Sequence, residues 1–96
     1  MSIIKVYVPG RRHSKTIATF FTRCFGGATV THGCTGYWED LTKEILIEKV
    51  DIVESIVSEL SERERTDLLT YMKGQREQTQ QEVLLLVIDD RPYWIK

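Results

Sequence analysis

Hydrophobic positions alternate near the N-terminus of this 96-residue chain and then change to a helical spacing. Aliphatic residues share one parity across residues 3–8, which predicts a half-buried strand that ends at Pro9-Gly10. The next pattern, with apolar positions at i, i+3, i+4 and i+7, predicts a first helix capped by Ser14 and stopped by Gly26-Gly27. Its apolar stripe consists of Ile17, Phe20, Phe21 and Cys24.

Strand patterns return after the double glycine. The second strand covers residues 28–34, with a continuation to Trp38 left open, and a polar loop at residues 39–43 joins it to a third strand over residues 44–57. This arrangement predicts a β-hairpin in the middle of the chain.

Both hairpin strands contain irregular positions. Gly33 and Gly36 indicate either a bulge or the close approach of a ligand, and the broken alternation of the third strand indicates a bulge near Glu48-Lys49. Simple alternation predicts that His32 and Cys34 point to one face of the second strand.

The second helix is predicted from its start signal. Ser61 and Glu64 have the spacing of a capping box, and Leu68, Leu69 and Met72 provide the core face. A final strand at residues 83–88 follows, and it is aliphatic on both parities.

The order β-α-β-β-α-β predicts a single α+β domain over residues 1–96, a ferredoxin-like α/β plait. Its four-stranded antiparallel sheet would have two helices on one face and an aliphatic row on the other, which a monomer seldom exposes. We therefore expect a homodimer packed sheet to sheet, or a C-terminal tail folded across that face. The expected interface residues are Tyr7, Leu84, Leu86, Ile88, Tyr93 and Trp94.

Charge is distributed unevenly. Residues 1–38 contain five basic and no acidic residues, whereas residues 39–96 contain 8 basic and 14 acidic ones. This polarity indicates an anion-facing end or head-to-tail self-complementarity, and a solvated surface is the alternative. The chain has no membrane-span pattern and no signal-peptide pattern, and its two cysteines suggest reduced thiols, so we expect a cytoplasmic protein.

Several motifs together resemble an uncharacterised family of small bacterial, plasmid and phage proteins. The matching segments are Phe25-Gly26-Gly27-Ala28-Thr29-Val30-Thr31, Gly36-Tyr37-Trp38, Glu48-Lys49-Val50-Asp51-Ile52-Val53 and Gln81-Glu82-Val83-Leu84. The resemblance implies the ferredoxin-like fold and no particular activity. Small phage and plasmid proteins of this type often act by binding, for example as inhibitors of host defence.

The loop after the first strand and the central hairpin are expected at the same end of the plait. Basic and hydroxyl side chains at the start of the first helix suit a phosphate or carboxylate, and an aromatic side chain of the hairpin could stack on a base. The alternative is that the arginines are solvated and Trp38 closes the edge of the core. The candidate ligand-binding residues are Arg11, Arg12, His13, Ser14, Lys15, Tyr37 and Trp38.

Other chemistries lack support in the sequence. An acylphosphatase needs an asparagine, which the chain does not contain, and RNA recognition needs aromatic residues that the third strand lacks. Cys24, His32 and Cys34 do not have the spacing of a zinc site, so no metal or other cofactor is expected. His13 has no orienting acid nearby in sequence.

We therefore expect a non-catalytic binding protein of phage or plasmid type. Its candidate partners are a second copy of itself, a nucleotide or phosphorylated small molecule, and a host protein, with neither membrane nor nucleic acid among them. The alternative is a small dimeric enzyme of the same fold that uses His32 or His13 as a proton shuttle.

Overall fold

The computed structural model describes residues 1–81 and 83–96. The elements along the chain are β1 (Ser2–Val8), α1 (Arg11–Phe25), β2 (Thr29–Glu39), β3 (Ile45–Val57), α2 (Glu62–Thr79), β4 (Leu84–Ile88) and β5 (Arg91–Ile95). The strands form one antiparallel sheet in the order β2-β3-β1-β4-β5, with both helices on one face. The predicted ferredoxin-like fold is confirmed.

A fifth strand extends the predicted four-stranded sheet. Asp89 and Asp90 both have positive φ values, 50° and 67°, as the central residues of a type I′ hairpin turn do. The turn pairs β5 with β4 from Ile88↔Arg91 to Leu84↔Ile95. The C-terminal tail therefore adds an edge strand to the sheet and does not fold across its uncovered face.

The helix-covered face of the sheet contains the core. Ile4, Val6 and Val8 of β1 alternate into it and are fully buried against α1 and α2. The helices themselves meet where the rings of Phe20 and Tyr71 stack with their centroids 3.6 Å apart. This stacking joins α1 to α2, and α1 itself lies against β3.

The predicted dimer-interface residues lie on two different faces. Leu84, Leu86 and Ile88 are at most 2% exposed in the core beneath the helices, so their assignment to an outer surface was wrong. Tyr93 also faces the helices, where its hydroxyl accepts a hydrogen bond from Arg65. The uncovered face, called the open face below, is instead formed by residues of opposite parity: Ile3, Tyr7, Ile52, Ile56, Leu85, Val87 and Trp94.

The two helices begin in different ways. The capping box of α2 is present, with Ser61 and Glu64 bonding reciprocally. In α1, however, Gly10 occupies the N-cap position with φ of 83°, and Ser14 lies within the first turn. The prediction that Ser14 caps α1 is therefore wrong, and its hydroxyl is available for another partner.

A bulge interrupts β2 at Gly33, one of the two glycines that indicated either a bulge or the close approach of a ligand. The register changes from Thr31↔Ile52 to Cys34↔Val50, so His32 and Gly33 together oppose Asp51. Gly33 has φ of 70°, the left-handed conformation that glycine adopts without strain. The bulge predicted near Glu48-Lys49 is absent, because residues 45–50 pair with β2 in continuous register.

The bulge reverses the direction of the side chains that follow it. His32 faces α1, whereas Cys34 lies opposite Val50, a residue of the open face. The prediction that His32 and Cys34 share a face is therefore wrong. Within the described residues, neither helix is long and apolar enough to cross a membrane.

Candidate functional site

A cleft of about 510 Å³ lies between one side of α1 and the edge strand β2. Successive turns of α1 supply one wall, and the first half of β2 supplies the other. Its lining residues are Arg11, Ser14, Lys15, Ala18, Thr19, Thr22, Arg23, Val30 and His32. This volume lies within the range of small-molecule pockets in proteins, about 300–1,000 Å³. We call this region the α1–β2 cleft.

Three cations line the cleft. Arg11 and Lys15 lie near the start of α1, and Arg23 lies three turns further along, about 18 Å from Arg11 at the helical rise. Among residues 1–81 and 83–96, none of the three forms an ion pair, and no carboxylate is among the lining residues. The residues that line the cleft therefore give it a net positive charge, which favours an anionic ligand.

A buried carboxylate holds the base of the cleft together. Asp51 is 4% exposed and accepts three hydrogen bonds: from the Ser14 hydroxyl at 2.6 Å, from the Gly33 backbone N–H at 3.1 Å, and from Nδ1 of His32 at 2.7 Å. Burial raises the pKa of Asp51, but the hydrogen bonds from Ser14, His32 and Gly33 outweigh burial and hold the pKa below its ordinary value. Asp51 is thus a charged acceptor in the folded protein.

This network links three elements. Ser14 is fully buried on α1, with its hydroxyl oxygen 2.9 Å from the Arg11 carbonyl oxygen. Asp51 belongs to β3, and His32 belongs to the bulge of β2. The arrangement differs from a nucleophilic triad, because the serine hydroxyl donates to the carboxylate and not to the imidazole. Its chemistry is that of an oriented histidine, whose Nε2 is free of the carboxylate.

A second cavity, of about 770 Å³, lies on the open face. The aromatic residues Tyr7, Tyr37, Trp38 and Trp94 line it together with three acidic residues, and no cationic residue of the described part of the chain does so. The indole of Trp38 lies over Gly36, where a Cβ atom would be only 3.0 Å from Nε1. That nitrogen is buried and has no hydrogen-bond partner within the described part of the chain. We call this region the open-face cavity.

The ligand-binding residues predicted from the sequence are divided between these places. Arg11, Ser14 and Lys15 line the α1–β2 cleft, whereas Tyr37 and Trp38 line the open-face cavity. Arg12 and His13 line neither of them. The single pocket expected from the sequence is therefore not formed within this chain.

Sequence reasoning missed the residue at the centre of the cleft network. Asp51 shares its parity with Val53, Ser55 and Val57, all of which are buried. An acid at a core-facing position of a strand is unusual, because burial of an unpaired charge is costly. The sequence therefore contained a signal for Asp51, but it did not identify Ser14, His32 and Gly33 as the partners of Asp51.

Metal-binding side chains do not converge at either cavity. In the part of the chain that the structure describes, no group of three histidine, cysteine, aspartate or glutamate residues has the geometry to hold an ion. Cys24 and Cys34 are both free thiols.

No family model and no curated protein sequence matches this chain. Solved structures are nevertheless similar to it. A phage SAM lyase in complex with S-methyl-5'-thioadenosine has a TM-score of 0.75 at 16% identity, covering 99% of this chain and 88% of the lyase. A phage SAM lyase in the apo state has a TM-score of 0.70 at 17% identity over the same shares.

The divalent cation tolerance protein CutA1 of Thermus thermophilus is also similar. Its TM-score is 0.73 at 15% identity, covering 92% of this chain and 82% of CutA1. Identities this low establish a shared fold alone. The chain therefore has the ferredoxin-like, CutA-like fold of these proteins, βαββαββ, with a five-stranded antiparallel sheet and two helices.

Proposed function

We propose that this protein is a non-catalytic binding protein of phage or plasmid type that holds an anionic, nucleotide-like ligand in the α1–β2 cleft. The observation that carries the proposal is the set of three cations without ion-pair partners among the described residues, arranged around an apolar surface of Ala18 and Val30. The two free cysteines agree with a reducing cytoplasm as its place of action.

The two kinds of side chain in the cleft suit the two parts of a nucleotide. A guanidinium such as Arg11 binds a phosphate through two parallel hydrogen bonds, and Lys15 adds a compact charge. Ala18 and Val30 offer an apolar contact for a ring, and the hydroxyls of Thr19 and Thr22 suit a sugar. S-methyl-5'-thioadenosine, an uncharged nucleoside, is bound by a phage SAM lyase of this fold, which supports a nucleoside as one part of the ligand.

Adenosine 5'-monophosphate is the probe for this proposal, with Kd measured by isothermal titration calorimetry. We expect Arg11→Ala combined with Lys15→Ala to weaken binding by about tenfold or more, because each change removes a charge-assisted hydrogen bond. Both residues are exposed, so the fold should persist.

A charge-matched control is Arg12→Ala combined with Lys49→Ala, since neither residue lines the cleft. This control should bind as the unchanged protein does. Equal affinity of the cleft variant and the control would show that the ligand binds elsewhere.

A small enzyme is the second candidate function, and the pair of His32 and Asp51 favours it. A histidine oriented by a carboxylate is a common general acid or base. We would incubate the protein with adenosine 5'-monophosphate and, separately, with SAM, and follow products by mass spectrometry. The binding proposal predicts intact compounds, whereas turnover that His32→Ala abolishes and His13→Ala preserves would establish the enzyme.

Self-association through the open face is part of the proposal, in agreement with the exposed Ile3, Ile56 and Trp94, which are 42%, 59% and 52% exposed. Trp94→Asp combined with Ile56→Asp should convert a dimer into a folded monomer in light scattering. An unchanged dimer would assign association to another surface. A host protein is the alternative occupant, and a chain that is monomeric without substitution would favour it.

A further inference from the structure

The imidazole of His32 is held in one orientation at the edge of the α1–β2 cleft. Nδ1 contacts Asp51 at 2.7 Å, so the ring nitrogen on the other side, Nε2, points away from that carboxylate. The side chain is 46% exposed although its partner is only 6% exposed, and it lines the cleft. Nε2 is therefore the part of the ring that a ligand can contact.

We propose, resting on the function proposed above, that His32 as an imidazolium donates its Nε2–H to the phosphoryl group of the ligand, and that Asp51 and Ser14 position it. His32 then determines specificity for a phosphorylated over an unphosphorylated nucleoside. A neutral imidazole with its proton on Nδ1 would present a lone pair at Nε2, which repels a phosphate oxygen. The protonated ring presents a donor and a positive charge instead.

Charged groups from two elements act on this ring. Asp51 of β3 places a carboxylate beside the ring, and Arg11, Lys15 and Arg23 of α1 place positive charges along the cleft. No other charged or titratable group of the described residues lines the cleft. A bound dianion would add negative charge next to these three cations and the imidazolium.

The supporting network makes the orientation rigid. Asp51 cannot rotate freely, because the Ser14 hydroxyl and the Gly33 backbone N–H hold its two oxygens separately. Ser14 in turn is fully buried in the first turn of α1. A ring oriented before the ligand arrives loses little conformational freedom on binding, which strengthens the contact.

Sulfate is the probe for this inference, because it keeps its two negative charges over the whole pH range in which histidines titrate. Its Kd would be measured by NMR titration between about pH 5.5 and about pH 8 at constant ionic strength. We expect affinity to fall by about tenfold across this range, the size of a typical coupling between two binding events. In His32→Gln the profile should be flat and weak at every pH.

His13→Gln is the matched control, because His13 is the other of the two histidines and does not line the cleft. It should retain the full pH dependence. Asp51→Asn should move the midpoint of the binding profile to lower pH, because the imidazolium loses its partner charge. Ser14→Ala should weaken binding at low pH and keep the slope, since it loosens Asp51 without changing any charge.

The outcomes separate this inference from the proposed function. Sulfate binding that depends on Arg11 and Lys15 but not on pH or His32 would overturn the role of His32 and leave the cleft as an anion site. Absence of sulfate binding over the whole pH range would overturn both the role of His32 and the anion site in the cleft. A second measurement divides the Kd of adenosine by the Kd of adenosine 5'-monophosphate, which gives the preference for the phosphorylated compound. This preference should fall by about tenfold in His32→Gln and stay constant in His13→Gln.

Discussion

The α1–β2 cleft and the open-face cavity lie on opposite faces of one sheet and differ in charge. Three cations line the cleft, whereas the acidic residues Glu39, Asp40 and Glu48 line the cavity, with Glu39 ion-paired to Lys43. The charge of the cleft favours an anionic ligand, and the charge of the cavity favours a cationic one. The two regions therefore differ in the sign of the charge that lines them.

A single bulge in β2 places side chains of this strand in the cleft before it and in the open-face cavity after it. Before the bulge, Val30 faces the helices, and after it the even-numbered residues of β2, from Cys34 to Trp38, face the open side. A one-residue irregularity moves every following side chain to the other face, because the side-chain period of a strand is two. Without the bulge, His32 and Trp38 would share one face of β2.

The two regions also differ in how they are supported. The cleft depends on buried groups, with Ser14 fully buried and Asp51 nearly so. The cavity lies beside the distal part of the β2–β3 hairpin, where Tyr37, Ile45 and Ile47 are each more than 60% exposed. We expect a substitution at the buried network to affect stability and a comparable one at the hairpin to act locally.

The largest expected effect is that of Asp51→Ala. It removes the acceptor of the Ser14 hydroxyl and the Gly33 backbone N–H and leaves both without this partner. We expect the free energy of unfolding to fall by about 2–3 kcal/mol in urea denaturation. Asp40→Ala is the control from the other region, because Asp40 also accepts several hydrogen bonds, but in the exposed hairpin turn. Equal losses in both variants would contradict the difference in support.

A smaller effect is expected from Gly36→Val in the open-face cavity. The added side chain would crowd the Trp38 indole, with Nε1 only 3.0 Å from the new Cβ. Crowding of about 1–3 kcal/mol exceeds the gain in strand propensity, at most about 1 kcal/mol, so a net loss of about 1 kcal/mol is expected. In a Trp94→Phe background, Trp38 fluorescence should shift to longer wavelength.

Gly27→Val is the control for this experiment, because its Cβ would meet no atom within 4 Å and its φ is not positive. Its emission should match that of the background protein. Anion binding in the cleft should be unchanged in both variants. Loss of sulfate binding in Gly36→Val would mean that the two regions are coupled through β2.

Local signals predicted the parts of this fold that local interactions decide. The capping box at Ser61 marks the start of α2 because both of its hydrogen bonds form within one turn. The hairpin between β2 and β3 was likewise predictable from two apolar runs around a polar loop. The order of these elements was enough to predict the ferredoxin-like fold.

Long-range pairing decided the rest. Leu84 to Ile88 are apolar on both parities, so only packing against the helices determines which side is buried. Asp89-Asp90 is a weaker hairpin signal than Asn-Gly, and the strand that follows contains Pro92, so β5 was not predicted. The division of the site depends on the bulge in β2. The glycines indicated where the bulge lies, but they did not indicate that it places His32 and Trp38 on opposite faces.

The smallest expected effect is a difference in how stability depends on pH when Asp51 of the cleft network or Asp40 of the hairpin turn is changed. The pKa of Asp51 is lowered in the folded protein, so its charge stabilises the fold above about pH 4, its ordinary range, and this contribution is lost as pH falls through the lowered value. Asp51→Asn should therefore be less stable at neutral pH and lose less on acidification. Asp40 also has a lowered pKa, owing to its hydrogen bonds with Thr42 and Glu44, but it lies in the exposed hairpin turn. Asp40→Asn should keep most of the loss of stability on acidification, measured by urea denaturation at several pH values. If Asp40→Asn removed that loss and Asp51→Asn did not, the stabilising charge would lie in the hairpin.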